Sequence, residues 1–355
     1  MAQEIQIGKI KIGENYPPFI VAEMSGNHNH SLDRALKLVD EAAKAGVQAI
    51  KLQTYTADTM TLDIKKAPFL IKDPKSLWNG KTLYELYEEA ATPWQWHEKI
   101  FKRAKERGII AFSTPFDATS VDFLENLRFS PPLYKIASLE IIDHALITKV
   151  AKTKKPLILS TGAATLAEID EAVKVAKVAG CKDIILLKCT SAYPANPETL
   201  NLKTIPHLRD AFHTLVGFSD HSLGIGPAIA SIATGASVIE KHITLSRKDG
   251  GVDAAFSLEP HEFKMLVQEG VHAWQSLGKI QYGVDPTEKT SYSHRRSLYF
   301  VKDLKKGEKI KEEHVRAIRP GFGLPPKYLK EIIGKKLQST IKRGDPVTLE
   351  VFLEK

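Results

Sequence analysis

Residues 237–242 read Ser237-Val238-Ile239-Glu240-Lys241-His242, a short run rich in β-forming apolar residues that ends in charged side chains. Runs of this type recur along the chain, and longer amphipathic stretches separate most of them. Strands of nearly continuous apolar sequence are buried on both faces, which is typical of a parallel sheet covered by helices. The eight runs are Phe19–Glu23, Val47–Gln53, Ile109–Ser113, Leu133–Ala137, Pro156–Thr161, Asp183–Lys188, Thr214–Phe218 and Ser237–His242.

The intervening stretches carry the start and stop signals of helices. Ser31 is a good N-cap, Pro93 is a good first-turn residue, and Gly46 and Gly180 lie where helices should end. Eight β–α units in about 250 residues favour an α/β fold of the TIM-barrel type, (β/α)8, over an open Rossmann sheet. The predicted helices are Ser31–Ala45, Pro93–Arg107, Asp117–Leu127, Asp143–Lys152, Thr165–Ala179, Gly224–Thr234 and Pro260–Leu277.

Two regions within the barrel sequence fall outside this repeat. Residues 4–13 alternate polar and apolar side chains around Gly8 and predict a hairpin that could plug the bottom of the barrel. Residues 54–92 form a long aromatic insertion after the second strand. A loop of that length on the active face of a barrel is usually functional, so we expect a lid or an oligomer contact.

The pattern changes near Gly278, where polar sequence is followed by short strands, turns and a short helix around Pro326–Ile333. A length of 355 residues is sufficient for two domains. We therefore expect a barrel domain over residues 1–278, a linker over 279–293 and a small second domain over 294–355.

Composition and charge exclude several classes of protein. Hydrophobic residues make up 43% of the chain and charged residues 26%, which is ordinary for a globular protein. The net charge of +8 is spread through the sequence, so a nucleic-acid partner is not favoured. Two cysteines, no signal-like N-terminus and no apolar run of membrane length lead us to expect a soluble cytoplasmic protein with no membrane partner. The absence of a Gly-x-Gly-x-x-Gly motif after the first strand argues against a nucleotide cofactor.

Polar residues follow the apolar strands at their carboxyl ends, where the reactive groups of a TIM barrel cluster. Four of them are lysines, which together indicate a ligand with two or three negative charges. Any one of these lysines could instead form a structural ion pair with a nearby glutamate. Alternate strand residues face the same way, so Lys51 can point inward with Gln53, and Glu240 with His242. The four lysines are Lys51, Lys135, Lys188 and Lys241.

His221 and His242 end adjacent predicted strands. A single histidine at a strand end is usually structural, but two that meet at one barrel mouth would suit Mn²⁺, Zn²⁺ or Fe²⁺, with water and substrate oxygens as further ligands. Cys189 could be a reactive thiol, although a small packed side chain is the simpler interpretation.

Ordered motifs over nearly the whole chain resemble the sialic acid synthase family, which condenses phosphoenolpyruvate with an amino sugar. The C-terminal region resembles the antifreeze-like (SAF, β-clip) domain of these enzymes through Lys306-Gly307-Glu308 and Arg319-Pro320-Gly321-Phe322-Gly323. The barrel motifs are Ala22-Glu23, Asn27-His28, Lys51-Leu52-Gln53-Thr54, Ser113-Thr114-Pro115-Phe116, Lys135-Ile136-Ala137-Ser138, Ser160-Thr161-Gly162, Lys188-Cys189-Thr190, Tyr193-Pro194, Ser219-Asp220-His221 and Glu240-Lys241-His242.

The resemblance implies a role for each site residue. His221 and His242 would hold a divalent metal, with Mn²⁺ the first expectation and Mg²⁺ or Co²⁺ the alternatives, and Glu23 and Glu140 would handle protons beside Lys51. Asn27 belongs to the implied substrate-binding set, and Arg319 would enter from the partner subunit of a domain-swapped homodimer. Sugar contacts are implied for Gln53, Tyr193 and Asp253. Contacts to phosphoenolpyruvate are implied for Lys51, Thr114, Lys135, Ser138, Ser160, Ser191 and Ser219.

Within the family, the insertion at Leu77-Trp78 and Leu83–Glu88 and the residues Arg296-Ser297-Leu298-Tyr299 place the chain nearest to enzymes that use a six-deoxy diacetamido sugar. The alternative is N-acetylneuraminate or legionaminate synthesis with another amino sugar. A Schiff-base aldolase using a strand-end lysine, and a carbohydrate- or ice-binding protein using the C-terminal module, are weaker hypotheses.

Overall fold

The computed structural model describes residues 3–74 and 76–352. Its first element is an antiparallel hairpin of β1 (Ile5–Ile7) and β2 (Ile10–Ile12), which turns at Gly8 with φ at +60°. The apolar side chains of this hairpin pack in one buried cluster with inward-facing residues of the barrel. The predicted plug at the bottom of the barrel is therefore confirmed.

Eight parallel strands form a closed barrel, in which the last strand pairs with the first. Every strand predicted from the sequence is present, with ends shifted by no more than two residues. The strands are β3 (Phe19–Glu23), β4 (Ala49–Thr54), β5 (Ile110–Pro115), β6 (Tyr134–Ile136), β7 (Leu157–Ser160), β8 (Ile184–Cys189), β9 (Leu215–Asp220) and β10 (Val238–His242). The TIM-barrel prediction is confirmed.

Helices surround the barrel and pack on its outer face, except for two short helices in the insertion after β4, which lie at the carboxyl ends of the strands. Ser31 caps the first helix as predicted, because its side chain accepts a hydrogen bond from the amide of Arg34. The helices are α1 (Leu32–Ala45), α2 (Ala57–Met60), α3 (Leu83–Ala90), α4 (His97–Glu106), α5 (Ala118–Glu125), α6 (His144–Ala151), α7 (Leu166–Val178), α8 (Thr204–Phe212), α9 (Gly226–Ala233) and α10 (Pro260–Leu277).

Helix α8 was not among the predicted helices, and Pro206 explains why. Proline normally interrupts a helical pattern, but here it lies in the first turn, where the backbone amide needs no partner within the helix. Helix α4 also begins later than Pro93, because Trp94–Trp96 form a 3₁₀ turn before it.

The barrel interior is layered, and this layering positions the polar residues. Lower on the strands, inward positions such as Val21, Ile185 and Val238 are apolar and pack on the hairpin. One pleat further on, the next inward positions are polar, for example Lys51 on β4 and Glu240 on β10. The polar layer thus lies at the carboxyl ends of the strands, above a sealed apolar base.

The chain from Lys279 onward forms a second compact unit with its own buried core. Its elements are α11 (Lys289–Ser293), β11 (Ser297–Phe300), β12 (Val315–Ile318) and α12 (Leu329–Ile332), and β11 pairs with β12 antiparallel. Helix α11 lies within the segment expected to be a linker. No helix in residues 3–74 or 76–352 is long and apolar enough to cross a membrane.

Candidate active site

A cavity of about 420 Å³ opens at the carboxyl ends of the barrel strands. Its floor comes from inward-facing strand residues and its other side from the insertion after β4. Most of the predicted site residues line it: Glu23, Lys51, Gln53, Lys135, Ser138, Glu140, Ser160, Tyr193, Ser219, His221, His242 and Asp253.

Two lysines and two glutamates form a buried charged cluster on the cavity floor. Lys51 Nζ lies 2.5 Å from Glu23 Oε2 and 3.7 Å from Glu240 Oε1. Lys135 Nζ donates to both carboxylate oxygens of Glu240, at 2.9 and 3.1 Å. Glu240 thus holds both ammonium groups side by side, and this is the arrangement that a ligand with several negative charges requires.

Burial and mutual attraction compete in this cluster. Burial raises the pKa of Glu23 despite the neighbouring Lys51, and burial lowers the pKa of Lys135 despite Glu240. Burial alone would raise the pKa of Glu240, but Lys135 and Lys51 outweigh it and hold that pKa at about 2. For Lys51, the attraction of the two glutamates outweighs burial, so its pKa is raised. Glu240 therefore stays ionised and keeps Lys51 charged.

Hydroxyl groups surround the lysines and provide neutral donors. Ser160 Oγ is buried and has no hydrogen-bond partner among the described residues, so it is free to donate to a ligand. Ser138 Oγ accepts a hydrogen bond from the amide of Gly162 at 3.0 Å. A Cβ at position 162 would collide with the hydroxyls of Ser138 and Ser191, so only glycine allows the two serines to approach this closely.

The imidazole rings of His221 and His242 lie with their centroids 5.3 Å apart. His221 Nδ1 donates to the carbonyl oxygen of Thr190 at 3.1 Å, so Nε2 carries the lone pair of the neutral ring. Burial would lower the pKa of His221, but the neighbouring Cys189 outweighs burial and raises it. His242 Nδ1 is buried without a hydrogen-bond partner among the described residues, 3.7 Å from Asp253 Oδ2. Burial and the neighbouring cations lower the pKa of His242 well below its ordinary value, so this ring is neutral.

This pair fits a divalent ion that receives only part of its coordination from the protein. Neutral imidazoles are good ligands for such ions, and the unpaired nitrogen of His242 has no other use among the described contacts. No group of three or more His, Cys, Asp or Glu side chains suited to a metal occurs in the part of the chain that the structure describes. Water or substrate oxygens would have to complete the shell.

Glu140 lines the cavity, and the pKa of its carboxyl group is raised. Burial is the largest cause of a raised pKa, which reaches about 7. Gln53 Nε2 donates to Glu23 Oε1 at 3.0 Å, and Ser25 donates to the carboxylate of Asp253. These contacts orient the polar side chains next to the histidine pair.

Four predicted site residues do not line the cavity. Thr114 is buried and its hydroxyl accepts a hydrogen bond from Lys51 Nζ at 3.1 Å. Asn27 is buried away from the cavity, where its amide donates to Ile243 O and Ser257 Oγ, both at 2.8 Å. Ser191 borders Gly162. Arg319 is exposed on the second unit, after β12.

The expectation that four lysines converge is wrong for two of them. Lys241 points outward from β10 and forms a fully buried ion pair with Asp220, at 2.9 Å. Lys188 Nζ donates to the carbonyl oxygen of Cys189 at 2.7 Å and does not line the cavity. Lys241 lies between the inward-facing residues Glu240 and His242, and Lys188 lies between Leu187 and Cys189. Because side chains alternate along a strand, both lysines point away from the barrel axis.

Cys189 and Glu240 belong to the site but were absent from the predicted site residues. Cys189 is a buried residue of the cavity wall, with Sγ 3.9 Å from His221 Nδ1. Burial raises the pKa of this thiol, but His221 outweighs it and lowers the pKa to about 7. The inward alternation of Glu240 with His242 is the sequence signal that indicates Glu240.

The fold and the site together define a TIM-barrel enzyme with a buried site for an anionic substrate at the carboxyl ends of its strands. More narrowly, the chain belongs to the NeuB family, whose model matches residues 38–282, and a SAF domain matches residues 295–352. The family resemblance seen in the sequence is therefore confirmed.

Two relatives and one solved structure illustrate the similarity. Pseudaminic acid synthase from Campylobacter jejuni is 45% identical over 96% of this chain and 98% of its own length. N,N'-diacetyllegionaminic acid synthase from the same organism is 38% identical over 92% of this chain and 97% of its own. The crystal structure of N-acetylneuraminic acid synthetase from Leptospira borgpetersenii, in complex with citrate, has a TM-score of 0.73 and 34% identity, covering 82% of this chain and 95% of that one.

Proposed function

We propose that this chain is a pseudaminic acid synthase. It condenses phosphoenolpyruvate with 2,4-diacetamido-2,4,6-trideoxy-L-altrose and water, and releases pseudaminic acid and phosphate by C–O cleavage. The observation that supports this acceptor is the 45% identity to pseudaminic acid synthase, against 38% to N,N'-diacetyllegionaminic acid synthase, both over nearly full length. Legionaminate or N-acetylneuraminate synthesis, with the same chemistry on another amino sugar, is the alternative.

Phosphoenolpyruvate binds over the floor of the cavity. Its phosphate and carboxylate groups need cations and hydroxyl donors, and Lys51, Lys135 and the free hydroxyl of Ser160 supply them. Glu240 below the lysines keeps both ammonium groups oriented toward the same volume. The hydroxyl groups of Ser138, Ser191 and Ser219 provide further polar contacts to the ligand. Thr114 positions Lys51 by accepting a hydrogen bond from its Nζ.

His221 and His242 would hold a divalent ion, Mn²⁺ first and Mg²⁺ or Co²⁺ as alternatives, which when bound would polarise the aldehyde of the open-chain sugar. Asp253 lies beside His242 and Gln53 beside Glu23, and with Tyr193 they hold sugar hydroxyl or acetamido groups. The thiol of Cys189 and the carbonyl oxygen of Thr190 orient the ring of His221.

The reaction forms one C–C bond and breaks one C–O bond. C3 of phosphoenolpyruvate attacks the aldehyde carbon, whose oxygen gains a proton, and water adds to C2 with loss of a proton. The tetrahedral intermediate then expels phosphate by cleavage of the C2–O bond, which leaves a ketone. Glu140 and Glu23 are the proton-handling groups, and the pKa of about 7 allows Glu140 to exchange a proton near neutral pH.

The proposal extends to the assembly. The active form is a domain-swapped cytoplasmic homodimer, in which Arg319 of the partner subunit reaches the sugar. The exposed position of Arg319 in the SAF-like unit supports this arrangement.

Phosphate release and product mass test the function directly. The purified chain should release phosphate from phosphoenolpyruvate with Mn²⁺ and 2,4-diacetamido-2,4,6-trideoxy-L-altrose, and the product should have the mass of pseudaminic acid. The legionaminate precursor and N-acetylmannosamine serve as competing acceptors. A higher kcat/KM with either of these sugars would overturn the assignment of the acceptor. His221→Ala should abolish phosphate release.

A further inference from the structure

The cavity is chemically divided into two halves. Strand residues supply the charged floor, whereas the insertion supplies a surface that we call the apolar wall. In the described part of the insertion, no charged side chain lines the cavity. The apolar wall consists of Met60, Ile71, Trp78, Leu83, Leu86 and Tyr87.

The apolar wall is fixed to the barrel by contacts on both sides of the cavity. Trp78 Nε1 donates to the carbonyl oxygen of Val252 at 3.0 Å, and the Trp78 ring lies 5.8 Å from that of Tyr193. At the other end, the Tyr87 ring lies 5.9 Å from that of Tyr55, which directly follows β4. These contacts give the wall a defined shape, which is what selective binding requires.

The wall offers a ligand almost no hydrogen bonds. The indole N–H of Trp78 is already used by Val252, and the side chains of Met60, Ile71, Leu83 and Leu86 have no N–H or O–H group that could replace water, so the hydroxyl of Tyr87 is the polar group that remains on the wall. A ligand hydroxyl turned toward Met60 and Leu83 would lose its hydrogen bonds to water without compensation, whereas a methyl group would gain by burial. The wall is therefore complementary to the deoxygenated part of a ligand.

We propose that the apolar wall selects the acceptor by its methyl-bearing end, and that Leu83 and Met60 are specificity-determining residues. This inference rests on the proposed function, because it assigns the discrimination among amino sugars to the insertion. The reacting aldehyde lies toward the histidine pair, and the six-deoxy end, with an acetamido methyl beside it, packs on the wall. A sugar that carries a hydroxyl at C6 is then a poorer acceptor.

Polar side chains of matched size test the role of the wall. Leu83→Asn and Met60→Gln introduce hydrogen-bonding groups with little change in volume. The measurement is kcat/KM for two acceptors, the six-deoxy sugar and its 6-hydroxy counterpart, together with KM for phosphoenolpyruvate. We expect the ratio of kcat/KM for the six-deoxy sugar to kcat/KM for the 6-hydroxy sugar to fall about tenfold in these variants. The KM for phosphoenolpyruvate should be unchanged.

Leu77→Asn is the matched control, because Leu77 belongs to the same insertion, is 48% exposed and does not line the cavity. The ratio of kcat/KM for the six-deoxy sugar to kcat/KM for the 6-hydroxy sugar should be the same in this variant as in the wild type. Equal losses for both sugars in Leu83→Asn and Met60→Gln would overturn the inference, since they would indicate a structural effect only. If the wild type prefers another amino sugar, the proposed acceptor fails, and the ratio is then measured on the 6-deoxy and 6-hydroxy forms of that sugar. A wild type that used no amino sugar would contradict both proposals.

Discussion

At the scale of single residues, a buried carboxylate organises the site. Glu240 accepts two hydrogen bonds from Lys135 and lies 3.7 Å from Lys51, and all three side chains are almost completely buried. Two ammonium groups this close would repel each other strongly without it, because the interior screens charges poorly. A negative residue is thus part of a site for a negative ligand.

Glu140 leads to a prediction about pH. Its folded pKa is raised by burial to about 7 from an ordinary 4.5, so the folded state binds more protons than the unfolded state between these values. The contribution of Glu140 to stability is therefore present at pH 4.5 and is lost as the pH rises to about 7. We expect Glu140→Gln to become progressively more stable than the wild type over this interval, as measured by thermal unfolding.

The same substitution should alter catalysis. The pH profile of kcat for the wild type should show a limb near pH 7, and this limb should be absent in Glu140→Gln. Glu171→Gln, at an exposed position on α7, is a suitable control. If the limb persisted in Glu140→Gln, another group would be responsible for it.

At the scale of secondary-structure elements, strand alternation explains what could be predicted from the sequence. Eight apolar runs defined the barrel, and alternation within them brought Lys51 with Gln53, and Glu240 with His242, to the axis. The same rule places Lys241 on the outer face, where it pairs with Asp220, although it also lies at a strand end. A position at the end of a strand does not by itself show whether a side chain points inward or outward. The alternation of side chains along the strand does.

The insertion could be recognised from its length but not described in detail. Trp78 contacts Val252 across 174 residues of sequence, and no local pattern encodes such a pairing. Its helix α3 does have a local signal, because Thr82 and Glu85 form a capping box at its start. The shape of the cavity wall therefore depends on tertiary contacts that follow from the closed barrel.

The hairpin gives a prediction at this scale. Ile7 is 2% exposed within the cluster at the barrel base, so Ile7→Ala should lower the free energy of unfolding by about 2–5 kcal/mol. Chemical denaturation would measure the loss. The exposed neighbour Gln6 provides the control, and Gln6→Ala should change stability by less than about 0.5 kcal/mol. Similar losses in both variants would show that the hairpin does not depend on this buried face.

At the scale of the whole molecule, the chain consists of two units with separate cores, and they contribute different residues to the proposed site. The barrel contains all the residues that line the cavity, and the SAF-like unit presents the exposed Arg319. In the proposed dimer, neither chain has a complete site by itself. The length of the chain and the change of pattern near Gly278 predicted two domains, but the motifs were needed to assign a role to the second.

Mixing two defective chains tests this division. Arg319→Ala should raise KM for the sugar far more than KM for phosphoenolpyruvate, and Arg316→Ala, at an exposed position of β12, should change neither. Arg319→Ala chains mixed and refolded with inactive His221→Ala chains should regain activity, because one site of each hybrid pairs an intact barrel with an intact Arg319. Activity no greater than that of the separate variants would show that each chain uses its own arginine.

The sealed base of the barrel also determines how reactants come and go. With Ile5, Ile7 and Ile12 filling the lower end, the cavity has its opening at the carboxyl ends of the strands. If the two reactants bind as proposed, both use this opening, and we expect the ligand of the floor to bind before the ligand held against the apolar wall. A hairpin of eight residues that does not line the cavity would thus determine the order in which the reactants bind.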